Sequence, residues 1–317
     1  MEDTMNGTTT AQLAEKTAKA VTGSVEEWTG FLQSAARLYK YSYPEQLLIY
    51  AQRPDATACA SYEIWNQTMR RYVRRGARGI ALPDGAGAVR YVFDVADTGA
   101  RKSSREVKTW ALDENNREAV AHALETQYGS AAKLGIAGQL EEIAMQQSMD
   151  YWQWHQDELR GIVDGSFLEG YDELNLEIAF RNTAAASVKY MLLSRCNLAR
   201  EYQIEPEELA GVLEWNTSAA SGALGSAVSE LSEGVLRQIE RTIRQYERSQ
   251  NHDERTDVYE ERRVLDSRSD SSRTADGAEQ IRTDAGMVSE GASDDHLQQP
   301  APERKIDRAP DGDRSGG

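Results

Sequence analysis

Between residues 70 and 79 the sequence reads Arg-Arg-Tyr-Val-Arg-Arg-Gly-Ala-Arg-Gly, with no Asp or Glu anywhere from Asn66 to Leu82. Arg70, Arg71, Arg74, Arg75 and Arg78 supply planar, permanently charged forks that match phosphate oxygens and stack on flat rings. Gly76 and Gly79 let the backbone turn and offer its own N–H groups to an anion. Tyr41, Tyr43, Trp65 and Tyr72 lie close by in sequence, and Arg53 adds a further cation. A basic groove lined with aromatic faces is the general recipe for holding a single strand of nucleic acid, with phosphates on the cations and bases on the rings. On that reading the DNA-binding residues are Tyr41, Tyr43, Arg53, Arg70, Arg71, Tyr72, Arg74, Arg75 and Arg78. The plain alternative is a solvated turn with its aromatics in the core. Trp28, Phe31 and Phe93 read as core.

Charge along the chain is uneven. The whole carries a net charge of -16 at pH 7, yet residues 36–108 hold 13 Lys and Arg against 7 Asp and Glu. Residues 109–248 hold 11 against 23. A phosphate backbone responds to the local patch and not to the total. Cys59 and Cys196 are too sparse for a disulfide scaffold or a zinc ribbon and fit a reducing, cytoplasmic setting. No apolar run reaches the roughly 20 residues of a membrane span, so no membrane partner is expected.

The elements that position the basic run are legible from caps and periods. Residues 1–22 read as a flexible lead-in. Ser24 with Glu27, and Ser42 with Glu45, form two capping boxes that open helices through Trp28, Phe31, Leu32 and through Leu47, Leu48, Tyr50. Arg53-Pro54 closes the second. Ser61 caps a short helix with Ile64 and Trp65. Ile80-Ala81-Leu82, the turn Pro83-Asp84-Gly85, and the alternation of Val89, Tyr91, Phe93 and Val95 with Arg90, Val92 and Asp94 predict a β-hairpin that presents the first set to the helices. The fold class is therefore α+β over residues 23–110, helices on a small hairpin or sheet. An all-α helical bundle follows over residues 111–248, with stripes through Val120 and Leu124, through Leu174, Ile178, Val188 and Leu192, and through Leu224 to Tyr246. Tyr151, Trp152, Trp154 and His155 form an aromatic knot that reads as a helix corner or a partner surface. Residues 249–317 lack any apolar period and are expected to form a disordered acidic tail.

Trp28 to Leu32, Tyr41-Ser42-Tyr43, the run Gln46 to Thr57, Trp65, the run Val73 to Ile80, and Val92 to Val95 with Thr98 together resemble the N-terminal domain of the ArdC-type antirestriction proteins of conjugative elements. The resemblance covers about a quarter of the chain. It implies an α+β module that binds single-stranded DNA in antirestriction or conjugative transfer, with conjugation or restriction proteins as further partners. Glu45 stands where that family more often has Asn, which would weaken a DNA contact made there. The family usually continues into a zinc metalloprotease-like domain with a His-Glu-x-x-His helix. His122, His155, His252 and His296 do not occur at that spacing, and no Gly-x-x-x-x-Gly-Lys-Ser/Thr loop is present. No catalytic residue, metal or cofactor is expected. The alternatives are a scaffold protein of a conjugation complex, docking through the acidic helical part, or a diverged, non-catalytic metalloprotease-like protein.

Overall fold

A computed structural model describes residues 7–275 apart from residues 86, 200, 201 and 203, with side chains as far as residue 250. Helix α1 (Gly7–Val21) stands where the sequence suggests a loose lead-in, and it buries Thr10, Thr17, Ala18 and Val21. Thr10 and Thr17 donate their hydroxyls to the carbonyls of Gly7 and Leu13 at 2.9 and 2.7 Å, so a polar Thr face packs without unpaired groups. An Ala/Thr stripe carries too little hydrophobicity to show as a period.

Ser24 caps with its own side chain alone, and Ser42 forms the reciprocal box with Glu45. Ser24 Oγ accepts the Glu27 N–H at 3.2 Å and starts α2 (Val25–Arg37). The Ser42 N–H and hydroxyl both donate to Glu45 Oε2, at 3.1 and 3.0 Å, and start α3 (Tyr43–Gln52). Strand β1 (Cys59–Ser61) leads into one wide π-turn, Ile64–Thr68, whose first N–H is taken by Ser61 Oγ. Strands β2 (Tyr72–Val73), β3 (Ile80–Pro83), β4 (Val89–Asp94) and β5 (Thr98–Gly99) follow. They form an antiparallel sheet in the order β1-β4-β3 and a separate β2-β5 pair. The Gln52 side chain bonds to both backbone groups of Ala81 on β3, accepting its N–H at 2.9 Å and donating to its carbonyl at 3.0 Å.

The hairpin is present, but it turns the other face inward. Ile80, Leu82 and Val92 are buried against Leu48 and Ile49 of α3, and Arg90 on the same face reaches Glu45 at 2.5 Å. Tyr91, expected to point inward, is 43% exposed. The reason is polar. Asp94 is buried because it accepts the N–H groups of Thr57, Ala58 and Ala96 at 2.7, 2.9 and 2.9 Å, and Arg90 has its own carboxylate. Residues that look like the solvent face are satisfied inside, and a period of two then reverses every neighbour. Asp94→Ala is expected to strand those three N–H groups and lower stability by about 2–4 kcal/mol, read by thermal melting. An unchanged melt would show that water replaces the carboxylate freely.

Helices α4 (Arg117–Tyr128), α5 (Gly135–Ile162), α6 (Glu173–Arg195), α7 (Pro206–Leu209) and α8 (Ser218–Ala275) complete the described chain. On α6 the buried stripe is Leu176, Phe180, Ala184, Val188 and Leu192; Leu174 and Ile178, expected inside, are exposed. Helix α8 continues past residue 249, where the tail is expected to begin, since residues 249–275 contain no Gly or Pro to stop it. Residues 276–317 of the expected tail lie outside the described residues.

The α+β part and the bundle share one core. Trp28, Phe31, Leu32 and Tyr43 belong to the same buried cluster as Leu140, Phe180, Trp215 and Ile239. Trp28 Nε1 donates to Ser187 Oγ at 3.0 Å, and Gly225 lets α8 lie directly against the Tyr43 ring, where a Cβ would sit 2.1 Å from Cζ. A polar staple closes the other end: Glu240 accepts from Tyr39 at 2.5 Å, Lys40 at 2.8 Å and Arg244 at 2.9 Å. Trp110 Nε1 donates to the Tyr39 hydroxyl at 3.0 Å, and the Arg195 guanidinium lies 3.4 Å from the centre of the Trp110 ring.

Candidate nucleic-acid interface

The basic run forms the turn out of the π-turn, strand β2, and the loop into β3. Arg70 adopts φ 55°, a conformation uncommon outside Gly. It is held there because its carbonyl accepts from Ser104 Oγ at 2.7 Å while the Arg105 N–H bonds to Met69 O at 2.9 Å. The segment after β5 thus folds back on the start of the run and delivers Arg101, Lys102 and Arg105 beside it. Arg101 bonds to Asn66 Oδ1 at 3.1 Å and lies 5.7 Å from the centre of the Tyr72 ring. Sequence spacing does not place these three cations beside the run, and their only trace in it is the local charge excess.

Arg74, Arg75 and Arg78 are exposed. Arg74 is anchored by its backbone, its N–H on Asp97 O at 2.8 Å, while its side chain reaches only the Ala96 carbonyl at 3.3 Å. Arg71 Nε donates to Thr98 Oγ1 at 2.8 Å across the β2-β5 pair. Among the described residues none of Arg70, Arg71, Arg74, Arg75 and Arg78 forms an ion pair. Elsewhere Arg53, Arg90, Arg160, Arg181, Arg237 and Arg244 each sit against a carboxylate. Unpaired cations clustered on one loop repel one another and concentrate positive potential there.

The remaining expected site residues divide. Tyr72 belongs to the cluster and is 43% exposed. Arg53 lies near it but is committed to Asp97 at 2.5 Å, so it fastens the end of α3 and offers no free charge. Tyr41 donates to the Cys59 carbonyl at 2.9 Å and packs on the sheet core; burial pushes its phenol above the usual range. Tyr43 is 4% exposed beneath α8 and cannot meet a base in this conformation. Both tyrosines sit beside a helix cap in sequence, and spacing alone does not separate a cap-flanking core ring from a surface ring.

Asp172 caps α6, Glu173 pairs with Arg160 and Glu177 with Arg181, so the clustered carboxylates of that region serve the helix. Burial pushes the Cys59 and Cys196 thiols up to about 12, which keeps them protonated and unreactive. Among the described residues no group of three His, Cys, Asp or Glu is placed to hold a metal ion, and no helix is long and apolar enough to cross a membrane. No family model, curated protein or solved structure matches the chain.

Proposed function

We propose that this protein binds single-stranded DNA, with little sequence preference, through the loop of residues 70–79 and the adjoining segment 101–105. The observation that carries the reading is a set of five guanidiniums without an ion pair on one loop that has no acids, whereas among the described residues Arg53, Arg90, Arg117, Arg160, Arg181, Arg237 and Arg244 each meet a carboxylate. Arginine left unpaired at a surface is available to phosphate oxygens, and on meeting them it displaces the counterions condensed on the strand. The likeness of the run Val73 to Ile80 to the ArdC-type domain supports the same ligand and suggests the setting: protection or handling of the transferred strand during conjugation, including evasion of host restriction. In this reading the bundle is no separate catalyst. It supplies the core on which the module is built.

The test uses the full chain, because α2 and α3 lose their packing partners in a shorter piece. Fluorescence polarisation with labelled oligothymidylate, and with a duplex of equal length, is expected to show tighter binding to the single strand. Its log affinity should fall linearly with log salt, by about 0.7 for each phosphate contact. Equal affinity for both forms, or a flat salt response, would overturn the reading. A docking role for the helical part is a second reading. It is favoured by Trp154 and Phe167, 85% and 70% exposed within the acidic half of the chain.

A further inference from the structure

The outward face of the β1-β4-β3 sheet carries two rings in a setting that core packing does not explain. In the register, Tyr91 of β4 stands opposite Ala81 of β3, and Phe93 stands opposite Ala60 of β1. Each ring therefore faces a methyl group where a bulky cross-strand partner would normally stand against it. Gly79 sits between the two rings: a Cβ there would lie 2.9 Å from Tyr91 Cδ1 and 3.2 Å from Phe93 Cζ. Gly79 is also the last residue of the basic run, so Arg78 is its chain neighbour. The consequence is a shallow aromatic floor adjoining a line of unpaired cations, with Tyr91 43% exposed and Phe93 half-buried.

The geometry points to Tyr91 and Phe93 as the base-stacking platform of the interface, with unpaired nucleobases of a single DNA strand as the occupant. This inference rests on the single-stranded-DNA reading and assigns the bases a place on the sheet, away from Tyr41 and Tyr43. Charge complementarity selects the occupant. A strand held by Arg74, Arg75 and Arg78 through its phosphates presents its bases to whatever lies alongside, and alongside lie the two rings. A protein partner would have to bring carboxylates to those arginines and apolar groups to the rings, whereas a single strand carries both phosphates for the cations and flat faces for the rings at this spacing. A base has a π-face that matches them. Tyr72, with Gly99 packed under its ring, flanks the cations from the β2-β5 side.

The experiment compares a labelled oligothymidylate with an abasic strand of equal length, which keeps the phosphates and lacks the bases. The full-length wild-type chain is expected to prefer oligothymidylate by about 5- to 100-fold, the range given by stacking one base on an aromatic side chain. Tyr91→Leu and Phe93→Leu are each expected to reduce the preference for oligothymidylate over the abasic strand, the double variant to abolish it, and Tyr91→Trp to retain it. The Trp variant also gives a readout independent of the Leu variant's folding: its added emission should be quenched by oligothymidylate and left unchanged by the abasic strand. If Tyr91→Leu and Phe93→Leu both keep the wild-type preference, or the Trp emission ignores the bases, the platform lies elsewhere while strand binding itself stands. If the wild-type chain binds neither strand, the platform fails together with the reading it rests on.

Discussion

Replacing Arg74, Arg75 and Arg78 together by Gln is expected to weaken oligothymidylate binding by about 50-fold at 0.15 M salt. That figure follows from three phosphate contacts at about 0.7 of log–log slope each, referred to 1 M salt, where counterion release contributes nothing. The salt slope should fall by about 2 in the same titration. The melting temperature should not fall, because none of the three side chains forms an ion pair and only Arg74 bonds to a backbone carbonyl, at 3.3 Å. Exposed substitutions of this kind stay within about 0.5 kcal/mol. Removing three mutually repelling charges tends toward a small gain. A triple variant that unfolds would place the arginines in a structural network. A folded variant with wild-type affinity would move the DNA surface elsewhere.

The second large effect concerns the staple at Glu240. Burial alone would raise this carboxyl, but hydrogen bonds from Lys40, Tyr39 and Arg244 outweigh it and hold the group at about 2. Glu240→Ala leaves the Tyr39 hydroxyl without its acceptor and Lys40 and Arg244 without their counter-charge. The expected loss is about 3 kcal/mol, or roughly 10 °C in melting temperature for a unit of this size. The pH dependence has a definite sign. A carboxyl depressed in the folded state binds its proton more readily when unfolded, so its contribution is complete above the ordinary Glu range near about 4.3 and disappears as pH falls through about 2. The wild type should therefore lose stability between about pH 5 and pH 2 more steeply than Glu240→Ala. Parallel acid limbs for the two proteins would show that Glu240 is not the group responsible.

What could be read in advance divides along physical lines. Ser24, Ser42 and Pro54 mark helix ends because capping and ring closure are local events decided within four residues. The basic run was visible for the same reason: repulsion and the absence of acids are properties of a short stretch. Four kinds of information were not local. The inward face of β4 depended on Asp94 finding three N–H donors from residues 57, 58 and 96, and on Arg90 finding Glu45, contacts that no alternation pattern encodes. The fate of Arg53 depended on Asp97, which is 44 residues away. Tyr43 and Tyr91 are both tyrosines near apolar neighbours, and only the approach of α8 at Gly225 decides that the first is covered while the second is left open. Arg101, Lys102 and Arg105 joined the cluster through backbone bonds to Met69 and Arg70, which link segments about 35 residues apart.

Glu45 shows how an acidic side chain near the basic module is neutralised within the fold. It caps α3 through Ser42 and also holds Arg90 at 2.5 Å, so its carboxylate is consumed inside the fold on the face opposite Tyr91. A repulsive effect on a DNA strand lying over Tyr91 and Phe93 is not expected from that position.

The bond pair between Gln52 and Ala81 has a consequence for the open edge of the sheet. Strand β3 is the last of its sheet, and an end strand offers free backbone groups on which another chain can add a strand of its own. A primary amide has the same donor and acceptor as a peptide group, so Gln52 completes the ladder at Ala81 from within. Another copy of the chain then finds the backbone groups of Ala81 already taken, which works against edge-to-edge pairing at that position.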